Sequence, residues 1–392
     1  MAGGLILCVS QKRRDEPYLF KATNIKVYSM EEAAYHCYRY WNQSLDDFTS
    51  EPFIAWTRDV LGLSDISAEL MKIAGGSGDV KEKLMSFLGM FYDANDARLS
   101  ALSASVAEWS KRLEWEKLKE QADYFVKNKK PVRALELYKK ALKLCENVKL
   151  LNNAAVALMS IGGRFQEALA FLKRALEIEP RNPKALLNVA EVSIMSGESE
   201  AAAEALDALS PESADALFLR GELKARAGEM NAAISYFERA AALKPSARLF
   251  YRMAESYCSI KAFEKAFAAL ARVERRDSEY YIKFADVKRE AEGKQAAIES
   301  VKRAVEDENL PPEEQSYLCA ELASRYRLSG DRKKAAAAAE LALSVHETAR
   351  ALLERARAEK DMGNFKLYQL FLKKAIDACK LKVMNEELTL RG

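Results

Sequence analysis

The sequence predicts a mainly α-helical protein: about eight helix-turn-helix units stacked in series behind a small, mostly helical N-terminal module with short strands. Three observations carry the prediction. An alanine opens the second helix of each unit at Ala134, Ala168, Ala202, Ala233, Ala266, Ala297 and Ala335, with Tyr368 in the eighth place. The steps between them are 34, 34, 31, 33, 31, 38 and 33 residues. A mostly small residue recurs midway along each first helix, at Ala122, Val156, Ala190, Gly221, Ala254, Ala285, Ala323 and Ala356. Glycines (Gly163, Gly197, Gly228, Gly293, Gly330, Gly363) fall at the turns inside units, and prolines (Pro180, Pro183, Pro211, Pro245, Pro311, Pro312) fall between units. Self-similarity at this period is the signature of a repeat architecture.

The N-terminal module occupies residues 1–110 and differs in composition. Up to residue 114 it carries 13 basic and 16 acidic residues, whereas the whole chain has a net charge of +3. Leu5-Ile6-Leu7-Cys8 superficially suggests a lipoprotein cleavage box, but the basic residues Lys12, Arg13 and Arg14 come after it and bulky Leu7 takes the small position. Residues 5–9 read better as a buried strand, and a cytoplasmic location is expected. The apolar runs at 18–20 and 25–28 suggest a small hairpin. Ser29-Met30-Glu31-Glu32 is a capping box that starts a helix to about Trp41, with Ala34, Cys37, Tyr38 and Trp41 on one face. Asp79-Val80-Lys81-Glu82 opens another helix, and Asn95 is placed to cap a third that could run unbroken into the repeats. Tyr28, Tyr35, Tyr38, Tyr40, Trp41, Phe53 and Trp56 crowd this region; core packing is the ordinary account of such a cluster, and an exposed docking patch the alternative.

The repeat array spans residues 115–381, with units beginning near 115, 149, 183, 214, 247, 278, 316 and 349, and a short tail follows at 382–392. Its columns have a simple cause. Two antiparallel helices approach closely only where side chains are small, and larger residues a turn away fill the remaining groove. Tyr138, Leu172, Leu206, Phe237, Leu270, Val301, Ala339 and Leu372 supply that bulk. Segments such as Gly163-Arg164-Phe165-Gln166-Glu167-Ala168, followed by Lys173-Arg174-Ala175-Leu176-Glu177-Ile178-Glu179-Pro180, resemble the tetratricopeptide repeat. The resemblance implies a right-handed superhelix whose first helices line a peptide-binding groove. The 31-residue units, the insertion at Pro311-Pro312 and Tyr368 depart from the pattern and mark the last unit as a cap. Around Ile25-Lys26-Val27-Tyr28-Ser29-Met30-Glu31-Glu32 and from Trp56 to Leu63 the head loosely resembles the N-terminal regions of uncharacterised bacterial tetratricopeptide repeat proteins, which implies no activity.

Chemistry is poorly represented. His36 and His346 are the only histidines and carry no signature, and Gly75-Gly76-Ser77-Gly78 lacks the strand and the following Lys-Ser or Lys-Thr of a phosphate loop. The six cysteines are scattered, as core thiols are, so neither a metal site nor a cofactor is expected. The basic runs Lys127/Lys129/Lys130 and Lys373/Lys374/Lys380/Lys382 are local, so nucleic acid is not an expected partner, and no apolar run is long enough for membrane insertion. The clamp by which some tetratricopeptide repeats hold a C-terminal carboxylate maps onto Lys119, Asp123, Ala154, Lys184 and Asn188, of which only the two lysines suit it.

The first helices do show a ladder. Leu187, Phe218, Tyr251 and Ile282 form an apolar column. Four residues later, on the same helix face, stand Glu191, Glu222, Glu255 and Asp286. The expected function is a protein–protein interaction scaffold whose groove takes a peptide or helix with an apolar stripe flanked by basic residues. Packing between helices and solvated charge are the plainer account of the two columns. A peptide-sensing regulator, similar in organisation to the intracellular pheromone receptors of Gram-positive bacteria, is the second reading, and an enzyme the third.

Overall fold

The computed structural model describes residues 16–388 apart from 24, 94–95, 210–212 and 308–309, with side chains as far as residue 378. The expected strand at 5–9 lies outside the described residues. The chain divides into two compact units, one of residues up to Ala157 together with those from Asn385 onward, and one running from Leu158 to Met384.

In the first unit, β1 (Tyr18–Phe20) and β2 (Ile25–Val27) pair antiparallel, with Tyr18 opposite Val27 and Phe20 opposite Ile25. Side chains alternate across a strand, which turns Tyr18, Phe20 and Val27 into a core with Phe53, Trp56 and Phe87. Tyr18 and Phe53 meet edge to face at 4.9 Å, and Phe48 stacks on Phe87 at 5.5 Å. Of the crowded aromatics, Phe53 and Trp56 are buried in this core and Tyr38 and Trp41 pack against it half-buried, whereas Tyr35 is exposed.

Six helices complete the head: α1 (Met30–Arg39), α2 (Trp41–Phe48), α3 (Glu51–Ala55) leading into a π-helical turn at Trp56–Val60, α4 (Ser64–Gly75), α5 (Val80–Leu88) and α6 (Ala97–Ser110). The Glu32 amide donates to Ser29 Oγ at 3.3 Å, and the Tyr28 amide donates to Glu32 Oε2 at 2.8 Å. The helix begun there stops at Arg39 rather than at Trp41. Tyr40 leaves helical geometry, and Ser44 Oγ donates to its carbonyl at 2.8 Å as α2 begins. At α5 the capping box is complete, Asp79 and Glu82 each accepting the other's amide. Asn95 lies outside the described residues; the N-cap of α6 is Asp96, which accepts from the Arg98 amide at 2.8 Å. Nor does α6 run into the repeats. The chain breaks after Ser110 and restarts as α7 (Glu114–Lys127), with the Leu113 amide donating to Glu116 Oε2 at 3.0 Å.

The first repeat hairpin, α7 with α8 (Pro131–Leu144), belongs to the same compact unit as the head. Lys130 Nζ donates to the Ala22 carbonyl at 3.0 Å, Trp41 meets Trp109 edge to face at 5.3 Å, and the Lys117 ammonium lies over the Trp109 ring. Helix α9 (Val148–Ile161) crosses from the first unit into the second.

The second unit continues with α10 (Phe165–Ile178), α11 (Pro183–Ser196), α12 (Ser199–Asp207), α13 (Ala214–Arg226), α14 (Met230–Leu243), α15 (Ala247–Ser259) and α16 (Phe263–Ala271). It ends with α17 (Ser278–Glu292), α18 (Lys294–Val305), α19 (Pro312–Leu328), α20 (Arg332–Val345), α21 (Ala349–Asp361) and α22 (Phe365–Leu388). Among the described residues of 115–381 there is no strand. The alanines that open the second helices from Ala134 to Ala335 are all buried, as are Ala190, Gly221, Ala254, Ala285, Ala323 and Ala356 on the first. At Gly221 the fit is extreme: a Cβ there would stand 2.4 Å from the Phe237 ring, so only glycine lets α13 and α14 close.

The irregular spacings have local causes. The two 31-residue units end in nine-residue second helices, α12 and α16, where α10, α14 and α20 have 14 residues. The unit expected to begin near 316 begins at Pro312, and its first helix is lengthened to 17 residues. Where the turn glycine is missing, lysine takes the left-handed conformation instead, Lys129 at φ 56° and Lys261 at φ 59°. That geometry costs an L-residue roughly 1–2 kcal/mol.

Candidate protein-binding face

First helices of the second unit neighbour one another, α11 with α13, α15 with α17, α17 with α19 and α19 with α21, and Arg252 on α15 reaches Glu222 on α13, so their exposed sides form one face. The apolar column of the sequence lies along it, but as a seam rather than an open stripe. Leu187 is half-buried against the cluster of Leu186, Ala190 and Leu206. Phe218 is half-buried as well, 5.7 Å from the Phe237 ring, with the Arg248 guanidinium over its own ring at 4.7 Å. Ile282 packs against the cluster of Ala285, Leu318 and Leu322. Tyr251 corrects the expectation outright. It is 5% exposed, in a core with Phe250, Met253, Leu270 and Tyr280, and burial pushes its hydroxyl pKa up.

The acidic row is present and already partnered. Glu191 on α11 pairs with Arg248 on α15 at 3.3 Å. Glu222 on α13 pairs with Arg252 on α15 at 2.5 Å, Arg252 also pairs with Glu255 on its own helix, and Glu255 reaches Lys283 on α17 at 2.5 Å. Asp286 on α17 pairs with Arg325 on α19 at 2.8 Å, Arg325 with Glu321 at 3.0 Å, and Glu321 with Arg350 on α21 at 2.5 Å. From α13 to α21 each first helix is therefore tied to the next by an acid on the earlier helix and a base on the later one. The expectation that Glu191, Glu222, Glu255 and Asp286 offer free negative charge does not hold. The bases that tie one helix to another are hard to find from sequence because they sit on other units, 28 to 57 positions away.

One opening breaks the seam. Between α15 and α17 a cavity of about 300 Å³ is lined by Tyr251, Cys258, Glu255, Lys283, Asp286 and Glu290 among others. Burial, followed by the charges of Glu290, Asp286 and Glu255, pushes the Cys258 thiol up to about 11. The charged lining is mixed, with Glu255, Asp286 and Glu290 against Lys283 and Arg289.

At the other end of the chain, two of the residues onto which the carboxylate clamp mapped, Lys119 and Asp123, are engaged within the fold. Asp123 pairs with Lys119 at 2.6 Å and accepts from the Tyr138 hydroxyl at 2.5 Å and from Asn153 Nδ2 at 3.0 Å. His36 is buried and stacked on Phe20 at 3.8 Å, with Thr23 Oγ1 at 2.6 Å from Nε2 and Ser44 Oγ at 3.1 Å from Nδ1. Burial lowers its pKa from 6.5 to about 4, so the fold holds the neutral ring. As pH falls below 6.5 the unfolded chain takes up a proton that the folded one refuses. Stability that is complete above 6.5 is thus lost on the way down to about 4. All four tryptophans (Trp41, Trp56, Trp109, Trp115) lie in the first unit, so their fluorescence reports it alone. Urea midpoints followed this way should fall with acidification, and His36→Gln should flatten the dependence. An unchanged slope in that variant would assign the acid sensitivity to other groups.

Among the described residues no group of three or more His, Cys, Asp or Glu is arranged to hold a metal ion, and no helix is long and apolar enough to cross a membrane.

Serial helix hairpins with a small-residue seam define a helical-repeat protein. Two family models described as tetratricopeptide repeat match residues 119–183 and 161–226, so this stretch of the chain consists of tetratricopeptide repeats. A search of the curated proteins finds no match. Among solved structures the chain is similar to a tetratricopeptide repeat protein from Parabacteroides merdae, at 21% identity over 67% of this chain and 98% of that one, with a TM-score of 0.44. It is similar also to the Cut9–Hcn1 hetero-tetramer of the APC/C (15% identity, 92% and 72% coverage, TM-score 0.43). A third is YrrB, described as a TPR protein with an unusual peptide-binding site (19% identity, 43% and 91% coverage, TM-score 0.33). The fold is that of a protein–protein interaction scaffold.

Proposed function

We propose that this chain is an adaptor that holds a peptide or helix of a partner protein against the first-helix face of units three to six. The observation that carries the reading is the ion-pair ladder from α13 to α21. It fixes the first helices in register, so the half-buried side chains of Leu187, Phe218 and Ile282 are presented as a rigid apolar surface. A surface ordered before binding loses less entropy when a partner arrives. The partner's basic residues have a narrower role than the acidic row alone suggests. The opening beside Cys258, lined by the three carboxylates Glu255, Asp286 and Glu290 against the two bases Lys283 and Arg289, suits one Lys or Arg side chain next to apolar neighbours. Selection of random peptides of about twelve residues on the purified protein tests this. Enriched peptides should combine large apolar residues with a Lys or Arg, and should bind at least about tenfold more weakly to Phe218→Ala or Ile282→Ser. Enrichment of acidic peptides, or binding indifferent to both substitutions, would overturn the proposal.

A further inference from the structure

The last helix breaks a rule that the other second helices keep. One residue before and two residues after the buried alanine column, those helices place charged or small side chains: Arg133 and Glu136 in α8, Glu167 and Ala170 in α10, Lys334 and Ala337 in α20. Helix α22 places Leu367 and Leu370 there, and both are exposed, at 41% and 47%. Phe371 continues the stripe one turn beyond Leu367 and is only half-buried. Residues i, i+3 and i+4 stand side by side on a helix, so the three side chains form one apolar ridge. Nothing in the fold of the described residues accounts for leucine at two solvent-facing positions.

We propose that this ridge docks an amphipathic helix of a partner protein whose apolar stripe is flanked by acidic side chains. Charge identifies the occupant. Lys366, Lys373 and Lys374 rim the ridge, all exposed, and among the described side chains of α22 Asp377 supplies the one carboxylate. A positive rim attracts an acidic helix and disfavours a wrong one, and it disfavours a second copy of the same ridge, which would bring lysines against lysines. A flat anionic bilayer fits less well. At 3.6 residues per turn, the other exposed apolar residues of α22, Phe365 and Ile376, project on the opposite side of Lys366 and Lys373 from Leu367 and Leu370, so a single plane cannot receive both sets.

The test uses the full chain and three probes: a designed helix of about eighteen residues with a leucine stripe flanked by Glu, the same helix flanked by Lys, and vesicles containing phosphatidylserine. The Glu-flanked helix should bind at least about tenfold tighter than the Lys-flanked one, with a preference that shrinks as salt is raised. Leu367→Ser with Leu370→Ser should remove that binding without lowering the melting temperature, and Lys366→Glu with Lys373→Glu should reverse the preference. Phe218→Ala should leave it untouched, which separates this surface from the first-helix face. Equal affinity for the two helices overturns the proposal. So does vesicle binding in place of helix binding, or a dimer of the parent that the serine variant abolishes. A lower melting temperature for the serine variant would also overturn it, by showing that the leucines serve the fold.

Discussion

Arg325→Ala is expected to destabilise the second unit by about 3–5 kcal/mol, the range found when one partner of a buried ion pair is removed. The Arg325 side chain is only 9% exposed and joins three helices: it reaches Asp286 on α17 and Glu321 on α19, and Glu321 in turn holds Arg350 on α21. Deleting the guanidinium leaves the sheltered Glu321 carboxylate with one cation instead of two, and it opens a gap where the aliphatic stem packed. Arg325→Met restores the stem without the charge and should recover part of the loss. Adding Glu321→Gln to it removes the orphaned charge and should recover more, since well-packed neutral groups replace buried ion pairs at little cost. The readout follows from the tryptophan distribution. Helical circular dichroism should show the lowered urea midpoint while tryptophan fluorescence, confined to the first unit, keeps the parent's. A loss below about 1 kcal/mol would put the Arg325 pairs in the class of exposed salt bridges, and the ladder could then not be what fixes the first helices in register.

How much of this was legible depended on what each constraint leaves in the sequence. The small-residue columns are visible because helix approach limits side-chain volume at one position per unit, and the limit recurs in every unit. Gly221 shows the limit in its strictest form, against the Phe237 ring. The short helices α12 and α16 are legible too, as steps of 31 residues. The ladder was not. Glu222 and Arg252, or Asp286 and Arg325, look like ordinary solvated charges on their own helices, and only the stacking of units brings them within 2.5 and 2.8 Å. Helix boundaries in the head were lost for another reason. The break at Tyr40, where the backbone leaves helical geometry between α1 and α2, is a local turn that no hydrophobic period announces.

Tyr251→Ala is expected to cost about 3–5 kcal/mol of stability, as for other large aromatic truncations in a core, with a value near 3 the more consistent with a side chain that borders the α15–α17 opening. The residue shows where reading a column from sequence goes astray. Leu187, Phe218, Tyr251 and Ile282 share one register, yet they are not equally placed. Phe218 lies half-buried under the Arg248 guanidinium, whereas Tyr251 is enclosed by Phe250, Met253, Leu270 and Tyr280. Removing both aromatics to abolish partner capture would therefore not leave the fold intact, and lost capture would report unfolding as much as recognition. Tyr251→Phe keeps the ring in the core and should stay within about 1 kcal/mol of the parent. Phe218→Ala, with less surface to expose, should cost roughly half of what Tyr251→Ala does. Denaturant midpoints of the three variants decide the matter. If Tyr251→Ala is as stable as the parent, the ring contributes no core packing, and the double substitution with Phe218→Ala becomes a clean test of recognition. If it falls as expected, recognition on this face is to be tested at Phe218 and Ile282, which are half-buried and whose removal opens less of the core.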